Sequence, residues 1–69
     1  MTLKVALIGA GAMGGAIGAR IVKTGQDLTV FDLDATKVAA LVDLGAKSAA
    51  TAAQAVAGAD YVVVSLNSA

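Results

Sequence analysis

Cysteine, histidine and proline are all absent from the 69 residues. Without cysteine the chain has no disulfide, no zinc-thiolate site and no thiol nucleophile. Without histidine it has no Ser-His-Asp triad, no imidazole metal ligand and no ordinary base near neutral pH. Without proline it has no Pro-rich linker. Charge is scarce and balanced. Five Lys+Arg face five Asp+Glu, a formal net charge of zero, whereas a nucleic-acid module needs a basic face. The longest uncharged run, Val5 to Ala19, falls short of the about 18–20 residues of a membrane span, and five glycines interrupt it. Charge resumes at Arg20 with no clear cleavage site, unlike a secretory signal. The expectation is a cytoplasmic chain that contacts neither membrane nor nucleic acid.

A hydrophobic fraction of 58% excludes a disordered chain. Seventeen residues are alanine, which adds little transfer free energy and favours helix. The composition points to Ala-rich helices packed on a small Val/Leu/Ile sheet. Residues 1–69 make one small domain, whose folding buries only about 60% of the surface of the unfolded chain.

Two periodicities alternate along the chain. Leu3 to Ile8 is a Val/Leu/Ile run, the pattern of a parallel strand buried on both faces. Ala12 to Thr24 reads as a helix, with Ile17, Ile21 and Val22 on one stripe and Gly25 as its stop. Leu28 to Phe31 is a second strand. Asp34 to Leu44 is a second helix, with Asp34 as N-cap, Val38, Leu41 and Val42 as apolar stripe and Gly45 as stop. Ala46 to Ala49 is a short, weak strand. Thr51 and Gln54 have capping-box spacing and open a third helix, Ala52 to Ala57. Tyr61 to Leu66 is the last strand. The order βαβαβαβ predicts an α/β fold, a Rossmann-like parallel sheet of strand order 3-2-1-4 with right-handed crossovers. The sequence stops three residues after the last strand, where ligand-binding loops of an open α/β sheet begin. It is therefore expected to be the front part of a larger fold.

Chemistry is concentrated in Gly9-Ala10-Gly11-Ala12-Met13-Gly14. A bare GxGxxG arises readily in a chain rich in glycine and alanine. Here it directly follows a predicted strand and opens a predicted helix, the context of a dinucleotide site. Gly9 permits the tight turn, Gly11 lets a pyrophosphate approach the backbone, and Gly14 lets the helix pack closely on the sheet. Gly18, one turn on, extends that close contact. The helix start offers free N–H groups and partial positive charge to phosphates, so no basic side chain is needed. The alternative is a helix that is Gly-rich only for packing.

Asp32 stands at the predicted end of the second strand. A carboxylate there accepts hydrogen bonds from the ribose hydroxyls of NAD and repels the 2′-phosphate of NADP. Leu follows at position 33, so no guanidinium clamp awaits that phosphate, although Lys37 is long enough to reach round to it. NAD is thus the expected cofactor and NADP the lesser alternative. The bland reading of Asp32 is a solvated strand end. Ser65, Asn67 and Ser68 stand at the carboxyl end of the last strand, beside the first strand, and Leu66 and Asn67 are expected to touch the dinucleotide in that crevice. Met13 either covers the cofactor or fills core. Tyr61 reads as core rim, Asp43 and Asp60 as structural or solvated, and Lys23, Lys37 and Lys47 as surface.

The strings VALIGAGAMGGAIGARIVKTGQDLTVFDLD and LVDLGAKSAATAAQAVAGADYVVVSLNSA together resemble the amino-terminal part of the β-hydroxyacid dehydrogenases. That family includes 3-hydroxyisobutyrate, 6-phosphogluconate and tartronate-semialdehyde enzymes. The resemblance covers the whole chain. It implies that Gly9, Ala10, Gly11, Ala12, Met13 and Gly14 hold the pyrophosphate, that Asp32 meets the adenosine ribose, and that Leu66 and Asn67 line the crevice. Ala10 stands where the family usually has Leu, Asn67 where it has Pro, and Ile17 where Met is common.

The resemblance further implies an NAD-dependent oxidoreductase that passes hydride between a 3-hydroxy acid and the nicotinamide, in a cytoplasmic homo-oligomer acting on a small hydroxy acid. The family's substrate-binding Ser-Gly-Gly segment, its catalytic Lys and its helical second domain have no counterpart in these 69 residues, so no catalytic residue is assigned. The 69 residues alone are expected to be inactive. Ketopantoate reductases share the glycine string but favour basic residues near position 32. A pyrroline-carboxylate reductase, a flavin enzyme or a non-catalytic nucleotide-binding module completes the alternatives.

Overall fold

The computed structural model describes residues 2–65. The elements are β1 (Lys4–Ile8), α1 (Ala12–Lys23), β2 (Asp27–Phe31), α2 (Ala35–Asp43), β3 (Lys47–Ser48), α3 (Ala52–Val56) and β4 (Tyr61–Val64). All strands are parallel, in the order β3-β2-β1-β4. The predicted βαβαβαβ order, parallel sheet and strand order 3-2-1-4 are therefore the observed ones.

β1 is central. It pairs with β2 from Lys4↔Asp27 to Ile8↔Phe31, and with β4 from Val5↔Tyr61 to Ile8↔Val64. Its middle residues Val5, Ala6 and Leu7 are buried, as a strand without polar alternation must be. Leu7, Leu28 and Val30 are the largest fully buried side chains, and Leu41, Ala10 and Ala46 join them. Ile21, Val22 and Val38 pack against that core, as the helical stripes require.

Gly18 sits where α1 crosses the core. A Cβ there would lie 3.0 Å from both Leu7 Cδ2 and Leu41 Cδ1. The missing side chain lets α1 approach β1 and α2 together, the close contact expected of it.

The ends of the elements differ from the sequence expectation in small, physical ways. Asp34, Leu44 and Thr24 are caps and not helical residues. The Asp34 carboxylate accepts the Thr36 N–H at 3.0 Å, the predicted N-cap bond. β3 shrinks to Lys47–Ser48, because Ala46 turns into the core and only Thr29↔Lys47 and Val30↔Ser48 form ladder pairs. Thr51 caps α3 by accepting the Gln54 N–H at 3.1 Å, but the Gln54 side chain accepts from Ala50 N–H and not from the cap residue itself. Val42 is exposed, not part of the buried stripe, and Tyr61 is 61% exposed, not at a core rim. Asp60 is structural: its carboxylate accepts the Lys4 N–H at 2.8 Å and its own N–H donates to Lys4 C=O at 2.7 Å, which starts the β1–β4 pairing.

Candidate functional site

The strands all end at one edge of the sheet, and the glycine turn crosses that edge between β1 and α1. Gly9 is anchored on both sides. Its N–H donates to Phe31 C=O at 2.8 Å, closing the β1–β2 ladder. On the other side a Cβ at Gly9 would collide with the carbonyl oxygen of Ser65, the residue after β4. Gly9 has φ +94°, a conformation that side chains disfavour. Position 9 is therefore closed to any other residue twice over.

Gly14 is confined in the same way. A Cβ there would collide with the Gly9 carbonyl oxygen and stand 2.9 Å from Ser65 Cβ. The first turn of α1 is thus pressed against both the glycine turn and the end of β4. Ser65, whose N–H donates to Ile8 C=O at 2.8 Å, forms the wall of the crevice between β1 and β4. The sequence places Ser65 at the carboxyl end of the last strand, beside the crevice, but not among the residues that touch the dinucleotide. Its signal was register: it follows directly the strand that pairs with β1. Leu66 and Asn67 lie outside the described residues.

Gly11 is the N-cap of α1, with extended backbone and no side chain to cap the helix. The first turn carries no acidic residue, while Arg20 and Lys23 occupy the last. The partial positive end of this helix is left open toward the strand edge, the arrangement that suits an anion. The Cβ positions closed at Gly9 and Gly14 face the protein's own backbone and so fix the shape of the turn, while the uncapped helix start that follows it suits an anion such as the pyrophosphate of a dinucleotide. Met13 is 73% exposed and so does not fill core. Ala10 is buried, its methyl packed in the core.

Asp32 follows β2 and faces the turn. Its Oδ2 accepts the Ala10 N–H at 2.6 Å, and its Oδ1 accepts the Asp34 N–H at 2.7 Å. These amide bonds, the Ala10 one foremost, hold the carboxyl below its ordinary value of 3.8, with Lys37 adding a smaller effect against the partial burial. Because the folded value is depressed, the stabilisation is complete above 3.8 and is lost as pH falls through the folded value. The Ala10 and Asp34 amide resonances are therefore expected to titrate together, with one midpoint below 3.8. A midpoint at or above the ordinary value would contradict the two bonds.

A groove of about 390 Å³ adjoins Asp32 and is lined by Ala35, Val38, Ala39, Val42, Ser48 and Ala49. It lies between α2 and β3 and shares only Asp32 with the glycine turn. Among the described residues no cluster of three or more His, Cys, Asp or Glu is placed to hold a metal ion, and no helix is long and apolar enough to cross a membrane.

Residues 4–69 match the family model described as the NAD binding domain of 6-phosphogluconate dehydrogenase. The chain is 40% identical over 62 residues to 3-sulfolactaldehyde reductase of Escherichia coli (strain K12), covering 90% of this chain and 21% of that protein. It is 41% identical over 59 residues to 3-hydroxyisobutyrate dehydrogenase of Pseudomonas aeruginosa, covering 86% of this chain and 20% of that protein. An imine reductase from Myxococcus stipitatus, solved as a V8 variant in complex with NAD+, superposes with a TM-score of 0.91 at 33% identity, covering 96% of this chain and 23% of the other. The chain thus spans about a fifth of the length of these curated relatives. Matched over nearly its whole length, the chain belongs to the family of the NAD binding domain of 6-phosphogluconate dehydrogenase.

Proposed function

We propose that these residues form the cofactor half of an NAD-dependent enzyme that oxidises a small 3-hydroxy acid reversibly. One observation carries the reading: a turn that tolerates no Cβ at Gly9 or Gly14 opens an uncapped helix and lies beside a fixed carboxylate, Asp32. In this reading Gly9, Ala10, Gly11, Ala12, Met13 and Gly14 cradle the pyrophosphate. Asp32 accepts the adenosine ribose hydroxyls, and Leu66 and Asn67 continue the crevice beyond Ser65. The bound nicotinamide supplies the hydride acceptor. The 69 residues position it and repel a 2′-phosphate. Proton transfer and substrate binding belong to residues outside them. The names of the hydroxy-acid and sulfolactaldehyde relatives support the substrate class. A cytoplasmic homo-oligomer is the matching setting, on the resemblance to the same family.

The test is a titration of NAD and NADP against the protein and its Asp32→Ala variant. NAD is expected to bind at least about tenfold tighter than NADP, since the 2′-phosphate would sit beside a carboxylate. The variant is expected to bind NAD about tenfold more weakly, the loss of hydrogen bonds to a charged group, and to narrow the preference. Equal discrimination by both proteins would remove Asp32 from the site. A preference for NADP in the unmodified protein would favour the ketopantoate reductase-like reading.

A further inference from the structure

We propose that Asp32 is also a positioning residue for the phosphate end of the site, acting through the Ala10 amide rather than through the ribose. The proposal rests on the cofactor reading above and adds a second task for the same carboxylate.

The geometry is that of a brace between two turns. The β1–β2 ladder ends with the Gly9 N–H on Phe31 C=O. One residue further the two backbones part, β1 toward α1 and β2 toward α2. There the Asp32 side chain takes over the pairing: Oδ2 holds Ala10 N–H, 22 residues away in sequence, while Oδ1 holds Asp34 N–H in its own turn. A single carboxylate therefore fixes the exit of β1 against the exit of β2. Ala10 is buried, so it cannot rotate toward solvent without leaving the core. Its amide is the last backbone donor before Gly11 starts α1. Where that amide points decides where the first turn of α1 points, and so where its open N–H groups lie. Each carboxylate oxygen keeps a lone pair beyond its amide bond, so ribose recognition and bracing are compatible.

A carboxylate that worked only through the ribose would have no effect on a ligand lacking the ribose hydroxyls. Bracing gives the opposite result. The probes are NAD and its analogue with a 2′,3′-dideoxyadenosine half, titrated against the unmodified protein, Asp32→Ala and Asp32→Asn. The expected result is that Asp32→Ala weakens the dideoxy analogue about tenfold as well as NAD. Asp32→Asn, which retains one acceptor for two amides, falls between. An unchanged affinity of the analogue in Asp32→Ala would overturn the proposal and leave the ribose contact standing.

A second measurement needs no ligand and so separates this proposal from the cofactor reading. Amide hydrogen exchange at Ala10 is expected to speed up at least tenfold in Asp32→Ala, with Leu7 and Gly9 unchanged because their bonds do not involve Asp32. Unchanged exchange at Ala10 would overturn the brace whether or not any dinucleotide binds. Should Asp32→Ala fail to fold, Asp32→Asn is read the same way. Failure of both dinucleotides to bind the unmodified protein, with Ala10 exchange still dependent on Asp32, would overturn the cofactor reading and the phosphate task together.

Discussion

Gly9→Ala is expected to destabilise the fold by about 2–5 kcal/mol. The residue has φ +94°, and forcing an alanine there costs about 1–2 kcal/mol. The new Cβ would also collide with the Ser65 carbonyl oxygen. That obstacle is backbone, held by the Ser65 N–H bond to Ile8 C=O, and it cannot turn aside as the tip of a side chain does. Overpacking of this kind adds about 1–3 kcal/mol. A domain is typically stable by roughly 0.05–0.15 kcal/mol per residue, so the sum is a large fraction of what a chain this small has. Gly25→Ala is the control. Gly25 has φ +84° but nothing within 4 Å of its Cβ position, so it carries the backbone cost alone. Urea unfolding followed by circular dichroism is expected to show at least about twice the loss for Gly9→Ala. Equal losses would mean that the end of β4 moves aside freely, and the tight crevice wall would not exist.

Much of this was legible beforehand because local chemistry and global fold agree. β1 is a short apolar run with no alternation, which only a doubly covered parallel strand satisfies. Asp34 and Thr51 announce their helices by capping, and both make the expected bonds. The strand order follows from connection rules once strands and helices alternate. What was not legible depends on distances between segments remote in sequence. The Asp32–Ala10 bond joins two turns 22 residues apart; the sequence put Asp32 at the right strand end and assigned it only to a ribose. Ser65 became part of the site through β1–β4 register, which fixes its carbonyl against Gly9. The sequence predicts too long a β3 because Ala46 and Ala49 are as compatible with turns as with strand, and a two-residue ladder leaves no periodic trace. Met13 stood equally between core and crevice in the sequence, and its exposure decides against core.

The two edges of the sheet lead to the last prediction. β3 is protected: it has two residues, one of them Lys47, which pairs with Asp27 at 3.3 Å. Short length and an edge lysine are the usual defences against pairing with another chain. β4 has neither. Among the described residues it is hydrogen-bonded to β1 on one side only, carries no charge from Tyr61 to Val64, and exposes Tyr61, Val62 and Val64 by 61%, 49% and 58%. The neighbouring carboxylate of Asp60 is engaged by Lys4 N–H. The 69-residue chain is therefore expected to self-associate through β4, with a sedimentation coefficient that rises with concentration. Val62→Lys places on this edge the defence that β3 already has, and is expected to return the chain to monomer with its circular dichroism unchanged. Because β4 also forms the Ser65 wall, NAD binding measured on the same samples reports whether the site survives the charge. A parent chain that stays monomeric at every concentration would refute the edge argument. Association that persists in Val62→Lys would move the contact elsewhere, with Leu33 and Leu44, both exposed, the next residues to replace.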